Sequence, residues 1–192
     1  MKQYALVSGV VVIAILGVLS ADVVSQKMDS KVNAFHSSLK QEGSGDYKKA
    51  VQAIEPAIKE HKDDYLLNLR LGWLYYLDKN YTESKQYYSN AVKLGGRSVE
   101  ALLGHTLPLA ALGEWNAVEE DYRVILGIDP MQYTAKLRLG HIFLNKGAYA
   151  DARAYLERAH SQYPGSYDPN LSLGWTYYYL GEKKKAESLL TS

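Results

Sequence analysis

Cysteine is absent from this 192-residue chain, which excludes a disulfide framework, a thiolate metal site and the cysteine-borne lipid of the usual bacterial lipoprotein. An excess of one charge is lacking too. With 22 Lys and Arg against 21 Asp and Glu the net charge is +1, so electrostatics gives no case for a nucleic-acid partner. The basic run Lys183, Lys184 and Lys185 could face an acidic lipid or polymer, but among charges of mixed sign it reads as a solvated helix face. No glycine-rich phosphate loop and no nucleophile elbow occurs. His36, His61, His105, His141 and His160 form no local ligand motif. The acid pairs Asp63 with Asp64 and Glu119 with Glu120 are adjacent, so neither shares a helix face. These absences leave no catalytic residue, metal site or cofactor to propose, and a non-enzymatic protein is expected.

A long apolar run occurs only at the start. After Met1 and Lys2, residues 3–21 carry no charge and are dominated by Val, Ile, Leu, Ala and Gly. That length lies between a signal-peptide core and a spanning helix, which needs about 20 residues. Small Ser20 and Ala21, with Gly17 just ahead, suit cleavage, whereas Val23 and Val24 prolong the stretch and suit retention. Residues 1–24 are therefore a signal peptide or a transmembrane anchor, and 25–30 a tether. In either case Lys2 keeps the amino terminus inside. The remainder is then exported or membrane-anchored outside the cytoplasm, in the periplasm or cell envelope if the source is bacterial.

Beyond residue 30 the chain is periodic. In 133–166, Tyr149, Ala152, Leu156, Ala159 and Tyr163 recur in steps of three and four, which aligns them on one helix face. A helix of about 14 residues is marginal alone, so that face needs a neighbour. Shifted by 34 residues, the same pattern gives Leu71, Gly72, Tyr75, Tyr81, Ser84, Tyr88 and Ala91 in 65–98. It gives Thr106, Leu109, Gly113, Trp115, Val118, Tyr122, Ile125 and Pro130 in 99–132, and Leu173, Gly174, Tyr177, Gly181, Ala186 and Leu190 in the incomplete 167–192. A degenerate copy in 31–64 keeps Ser38, Gly45, Tyr47, Ala50, Ile54 and Ala57.

Gly72, Gly140 and Gly174, with Thr106 and Ser38 as small substitutes, predict close approach of two antiparallel helices. Ala50, Ala152 and Ala186, with Ser84 and Val118, supply small contacts on the second helix. Tyr47, Tyr81, Trp115 and Tyr149 open that helix and are expected to cover the preceding turn, while Pro130 and Pro164 end it. A loop is expected at Gly43, Ser44 and Gly45, a bend at Pro56, and a kink or delayed helix start at Pro108.

These residues resemble tetratricopeptide repeats over nearly everything after the amino-terminal segment. The resemblance implies an all-α fold: a right-handed α-solenoid of stacked antiparallel helix pairs with a concave groove, here preceded by the apolar signal or anchor helix. It further implies a protein–protein interaction scaffold or adaptor that holds a peptide or helix. On that geometry the inner wall carries Leu69, Arg70, Trp73, Tyr76 and Leu77, then Leu103, Leu107, Ala110 and Ala111. It continues with Leu137, Arg138, His141 and Asn145, then Leu171, Trp175, Tyr178 and Tyr179. Aromatic and Arg anchors commonly dominate interface energy. Trp73, Tyr76, Trp175, Tyr178 and Tyr179 equally suit packing between neighbouring repeats. The carboxylate-clamp subtype is not supported, because Leu69, Trp73, Leu137, His141, Leu171 and Trp175 stand where its Lys and Asn would be. A second reading is self-association through the C-terminal repeat, where Leu189 and Leu190 lack a following polar helix.

Overall fold

The computed structural model describes residues 30–191. The expected signal or anchor at 1–24 and all of the 25–30 tether but Ser30, which is already helical, lie outside the described residues. Among the described residues there is no strand, and no helix is long and apolar enough to cross a membrane.

Helix α1 covers residues 30–43. It is followed by α2 (Tyr47–Glu60), α3 (Tyr65–Leu77), α4 (Tyr81–Leu94), α5 (Val99–Ala111), α6 (Trp115–Ile128), α7 (Tyr133–Asn145), α8 (Tyr149–Gln162), α9 (Tyr167–Tyr179) and α10 (Lys183–Leu190). The starts of α3, α5, α7 and α9 fall at 65, 99, 133 and 167, and those of α2, α4, α6, α8 and α10 at 47, 81, 115, 149 and 183. Each helix from α2 onward packs on the next in chain order, and first helices of adjacent pairs also meet, α3 on α5 and α7 on α9.

Local chemistry sets those starts. Asp64, Ser98 and Gln132, one repeat apart, each accept the backbone N–H three residues on, at 3.0, 3.1 and 3.2 Å, and so cap α3, α5 and α7. The turn inside each pair uses a residue of positive φ: Gly45, Lys79, Gly113, Gly147 and Gly181. Its N–H and the next one reach back to the helix just ended, as in Gly113 to Ala110 O at 3.1 Å and Glu114 to Leu109 O at 2.9 Å. That pair of bonds is a Schellman-type closure, which a left-handed residue permits.

Two prolines sit inside helices. The helix containing Pro108 shows no delayed start: α5 opens at Val99 and closes past the ring, with Leu112 N–H donating to Pro108 O at 2.9 Å. The missing N–H would have donated to Gly104 O, one turn earlier, so the proline costs one hydrogen bond without moving the helix start. Helix α2 likewise runs through Pro56 to Glu60. The loop expected at Gly43 begins one residue later, at Ser44.

Packing within a pair follows from small residues facing large ones. A β-carbon on Gly140 would stand 2.5 Å from Leu156, and one on Gly174 would stand 2.7 Å from Leu190. Leu156 is fully buried, as are Ala152 and Ala159 on the same face. Thr106 takes the place of glycine in the third pair, and its hydroxyl meets Tyr122 Oη at 3.3 Å. The apolar core forms one cluster from α2 and α3 and another running from α5 to α10. Between them Tyr88 is buried against Gly72 and Gly104.

Polar contacts add cross-links from α4, α6 and α8 to the turn of a neighbouring pair. Lys85, Glu119 and Arg153 are one repeat apart, and they pair with Glu114 at 2.6 Å, Lys146 at 2.5 Å and Glu182 at 2.9 Å. Such surface pairs contribute about 0 to 1 kcal/mol each, so the stack rests on its apolar contacts.

Candidate partner-binding groove

A depression of about 700 Å³ lies on α5, α6 and α7, with Tyr76 of α3 at one end. Its cause is visible in the repeat register. The positions held by Tyr76 and Leu77 in α3, and by Tyr178 and Tyr179 in α9, are Ala110 and Ala111 in α5. Two missing large side chains leave the space. Leu107, Ala110 and Ala111 form one wall, and Arg138, His141 and Asn145 form the other.

No carboxylate lines this groove; its charged or ionisable members are Arg138, His141 and Lys146, besides the phenols of Tyr76 and Tyr122. Lys146 hydrogen-bonds Glu119 at 2.5 Å, and this bond holds the Glu119 carboxyl below the ordinary carboxylate range against the opposing effect of burial. His141 Nε2 lies 2.8 Å from Ser172 Oγ and 3.3 Å from Asp168 Oδ1. Both partners meet the same ring nitrogen, so this trio lacks the base-and-orienter geometry of a hydrolytic triad. Burial pushes the His141 imidazole below its ordinary value of 6.5, with Asp168 opposing the shift. Arg138 is exposed and makes no ion pair or hydrogen bond among the described residues. Among the described residues no group of His, Asp and Glu is placed to hold a metal ion.

The candidate inner-wall residues distribute over three depressions. The wide groove gathers Tyr76, Leu107, Arg138 and His141. A smaller one of about 360 Å³ gathers Leu69, Arg70 and Trp73, and a third of about 630 Å³ gathers Trp175 and Tyr179. Leu103 packs against the core, Leu171 is half-buried, and Tyr178 is exposed with its ring edge-on to Trp175 at 5.7 Å.

Two candidates are buried. Leu137 is a core residue at 6% exposure. Arg70, at 9%, ties α3 to α1: its Nη2 lies 2.5 Å from Glu42 Oε2, off the hydrogen-bonding axis, and its Nε donates to Ser38 Oγ at 3.0 Å. Trp73 joins the same link through Nε1, which donates to Glu42 Oε1 at 2.7 Å. In these two residues the polar ends serve the stack.

The second helices also supply groove residues: Trp115, Val118 and Tyr122 from α6. Trp115 is 52% exposed at the groove, and it also lines a shallow depression with Gly113 and Glu114 of the turn before it. Its equivalents behave differently. Tyr81 tilts over Tyr76 at 5.7 Å, whereas Tyr149 reaches forward and stacks on Tyr179 at 4.7 Å. The signal for Trp115 lay in the register, since the position of Tyr179 one repeat earlier is Asn145, which offers no ring.

Caps, left-handed turns and small-to-large crossings recurring every 34 residues define an array of stacked helix pairs. The tetratricopeptide repeat family models match residues 41–99, 97–167 and 143–192, and the chain belongs to that family. A solved structure of MamA protein superposes with a TM-score of 0.77 at 19% identity, covering 85% of this chain and 89% of that one. MamA 41-end from Desulfovibrio magneticus gives 0.76 at 14%, with 85% and 92% covered. A tetratricopeptide repeat protein from Parabacteroides merdae gives 0.77 at 17%, with 85% and 65% covered. At such identities the likeness concerns the fold. No curated protein sequence matches the chain.

Proposed function

We propose that this tetratricopeptide repeat protein is a non-catalytic scaffold that holds a segment of a partner protein in the groove between α5 and α7, outside the cytoplasm. The observation that carries this reading is the groove itself, about 700 Å³ in volume and lined by Leu107, Ala110 and Ala111. An apolar trough between helices with a few polar groups at its rim suits an extended peptide or the apolar face of a helix. Export or anchoring rests on the uncharged residues 3–21 alone.

A photo-crosslinking amino acid at Ala111, compared with one at exposed Arg158 on α8, tests the reading in the native cell. Discrete protein adducts are expected from position 111 and not from 158. Equal labelling, or none from position 111, removes the groove as the binding site. Protease treatment of intact cells separately tests the location, with the repeats expected to be accessible once any outer barrier is opened.

A further inference from the structure

Resting on that groove reading, we infer that the partner segment carries a carboxylate beside an aromatic side chain: Arg138 takes the carboxylate, and the open face of Trp115 takes the ring. The groove contains no Asp or Glu, and two of its three basic side chains are already engaged, Lys146 by Glu119 and His141 by Ser172. Arg138 alone is exposed without an anionic partner among the described residues. A guanidinium presents a planar fork that matches a carboxylate with two parallel hydrogen bonds. Beside an apolar wall that attraction is less screened than in open water.

Successive repeats differ in what covers the first aromatic of the second helix. Tyr149 stacks on Tyr179 at 4.7 Å with the planes 11° apart. One repeat earlier the equivalent positions hold Trp115 and Asn145, both of which line the groove. Trp115 therefore offers a large aromatic face, 52% exposed, with no ring from the chain against it among the described residues. Ala110 and Ala111 leave the room an incoming ring needs. Offset stacking or edge contact of aromatic rings is favourable beyond simple burial.

The test pans a random peptide library displayed on phage against the full chain, then measures fluorescein-labelled copies of the enriched peptides by anisotropy. Enriched peptides are expected to carry Asp or Glu adjacent to Trp, Tyr or Phe. Arg138→Glu should weaken their binding about tenfold or more, the loss expected of a charged hydrogen bond. Trp115→Ala should weaken it as well, and Arg158→Glu, on exposed α8 surface, should leave it unchanged. Arg138 and Trp115 are exposed, so circular dichroism melts should confirm that both variants stay folded. Ala110→Trp, which fills the groove, separates the two levels of the reading. Peptides lost on Ala110→Trp yet indifferent to Arg138→Glu, or lacking any acid, overturn this inference and leave the groove reading standing. Absence of any binding sensitive to Ala110→Trp overturns both.

Discussion

The ring of Tyr88 rests so closely on the backbone of Gly72 that a β-carbon there would stand 2.7 Å from it. Gly104 of the next pair approaches the same ring from α5, where a β-carbon would come to 2.1 Å. One tyrosine thus spaces α4 from both first helices, at the junction between the two apolar clusters.

That geometry makes glycine-to-alanine effects opposite in sign at different positions. Gly72→Ala should destabilise by about 1 to 3 kcal/mol, because the Tyr88 ring is buried and overpacking forces it off its rotamer. Gly127 lies in α6 with nothing within 4 Å of an added β-carbon. There Gly127→Ala should stabilise by about 0.5 to 1 kcal/mol through helix propensity alone. Urea unfolding followed by circular dichroism measures both, and equal shifts in the two variants would contradict the crowded-crossing account.

Lys79 provides a second test from the backbone. It holds φ of 63° at the turn where Gly45, Gly113, Gly147 and Gly181 stand in the other pairs. A left-handed conformation costs an L residue about 1 to 2 kcal/mol. Lys79→Gly should therefore raise stability by about 1 kcal/mol, less than the full strain because glycine gains freedom in the unfolded chain. Gly113→Ala should lower it by a similar amount. A thermal melt that fell for Lys79→Gly would show that the side chain contributes more than the backbone costs.

The acid limb of stability should depend on His141. Its folded-state pKa is depressed by burial, so the fold favours the neutral ring. A depressed group contributes stability above its unfolded value, near 6.5, and that contribution is lost as pH falls through the folded value. Asp168 faces the ring and opposes the shift, while Arg138 reinforces it. Melting temperature should accordingly fall more steeply below pH 6.5 in the native chain than in His141→Gln. Titration of the imidazole by nuclear magnetic resonance gives the direct check, with a value above 6.5 excluding this account.

The stacked-pair fold was legible because its determinants are local and repeated. Small residues at 72, 106, 140 and 174 and the turn glycines each do one steric job, so shifting the chain against itself exposes them. The groove was less legible. Arg70 and Arg138 share a repeat position, yet Arg70 is buried by Phe35, Ser38 and Glu42 of the degenerate first pair, while Arg138 meets no such neighbours. Leu69 and Leu137 diverge in the same way, half-buried against buried. A period fixes the direction in which a side chain points, and the neighbouring repeat decides whether it is covered. Trp115 shows the same dependence, since its exposure follows from Asn145 rather than from its own identity.

The Arg70–Glu42 link is one of two ion pairs that attach α1, beside Lys31 with Asp64, and it can be tested apart from the groove. Glu42 receives Arg70 on one oxygen and the Trp73 indole on the other, while the Arg70 guanidinium lies 5.4 Å from the centre of the Phe35 ring. Removing one member of a buried ion pair leaves the other charge without compensation, at a cost of about 3 to 5 kcal/mol. Glu42 is itself 23% exposed, so Glu42→Ala should fall at the lower end, about 3 kcal/mol. Replacing both partners with apolar residues of similar volume, Glu42→Leu with Arg70→Met, removes the uncompensated charge and should recover most of that loss. Hydrogen exchange should show faster opening of α1 in the single variant and near-native protection in the double one. Additive losses in the double variant would mean that Arg70 and Glu42 act through separate contacts, with α1 held by its apolar face and the Lys31–Asp64 pair.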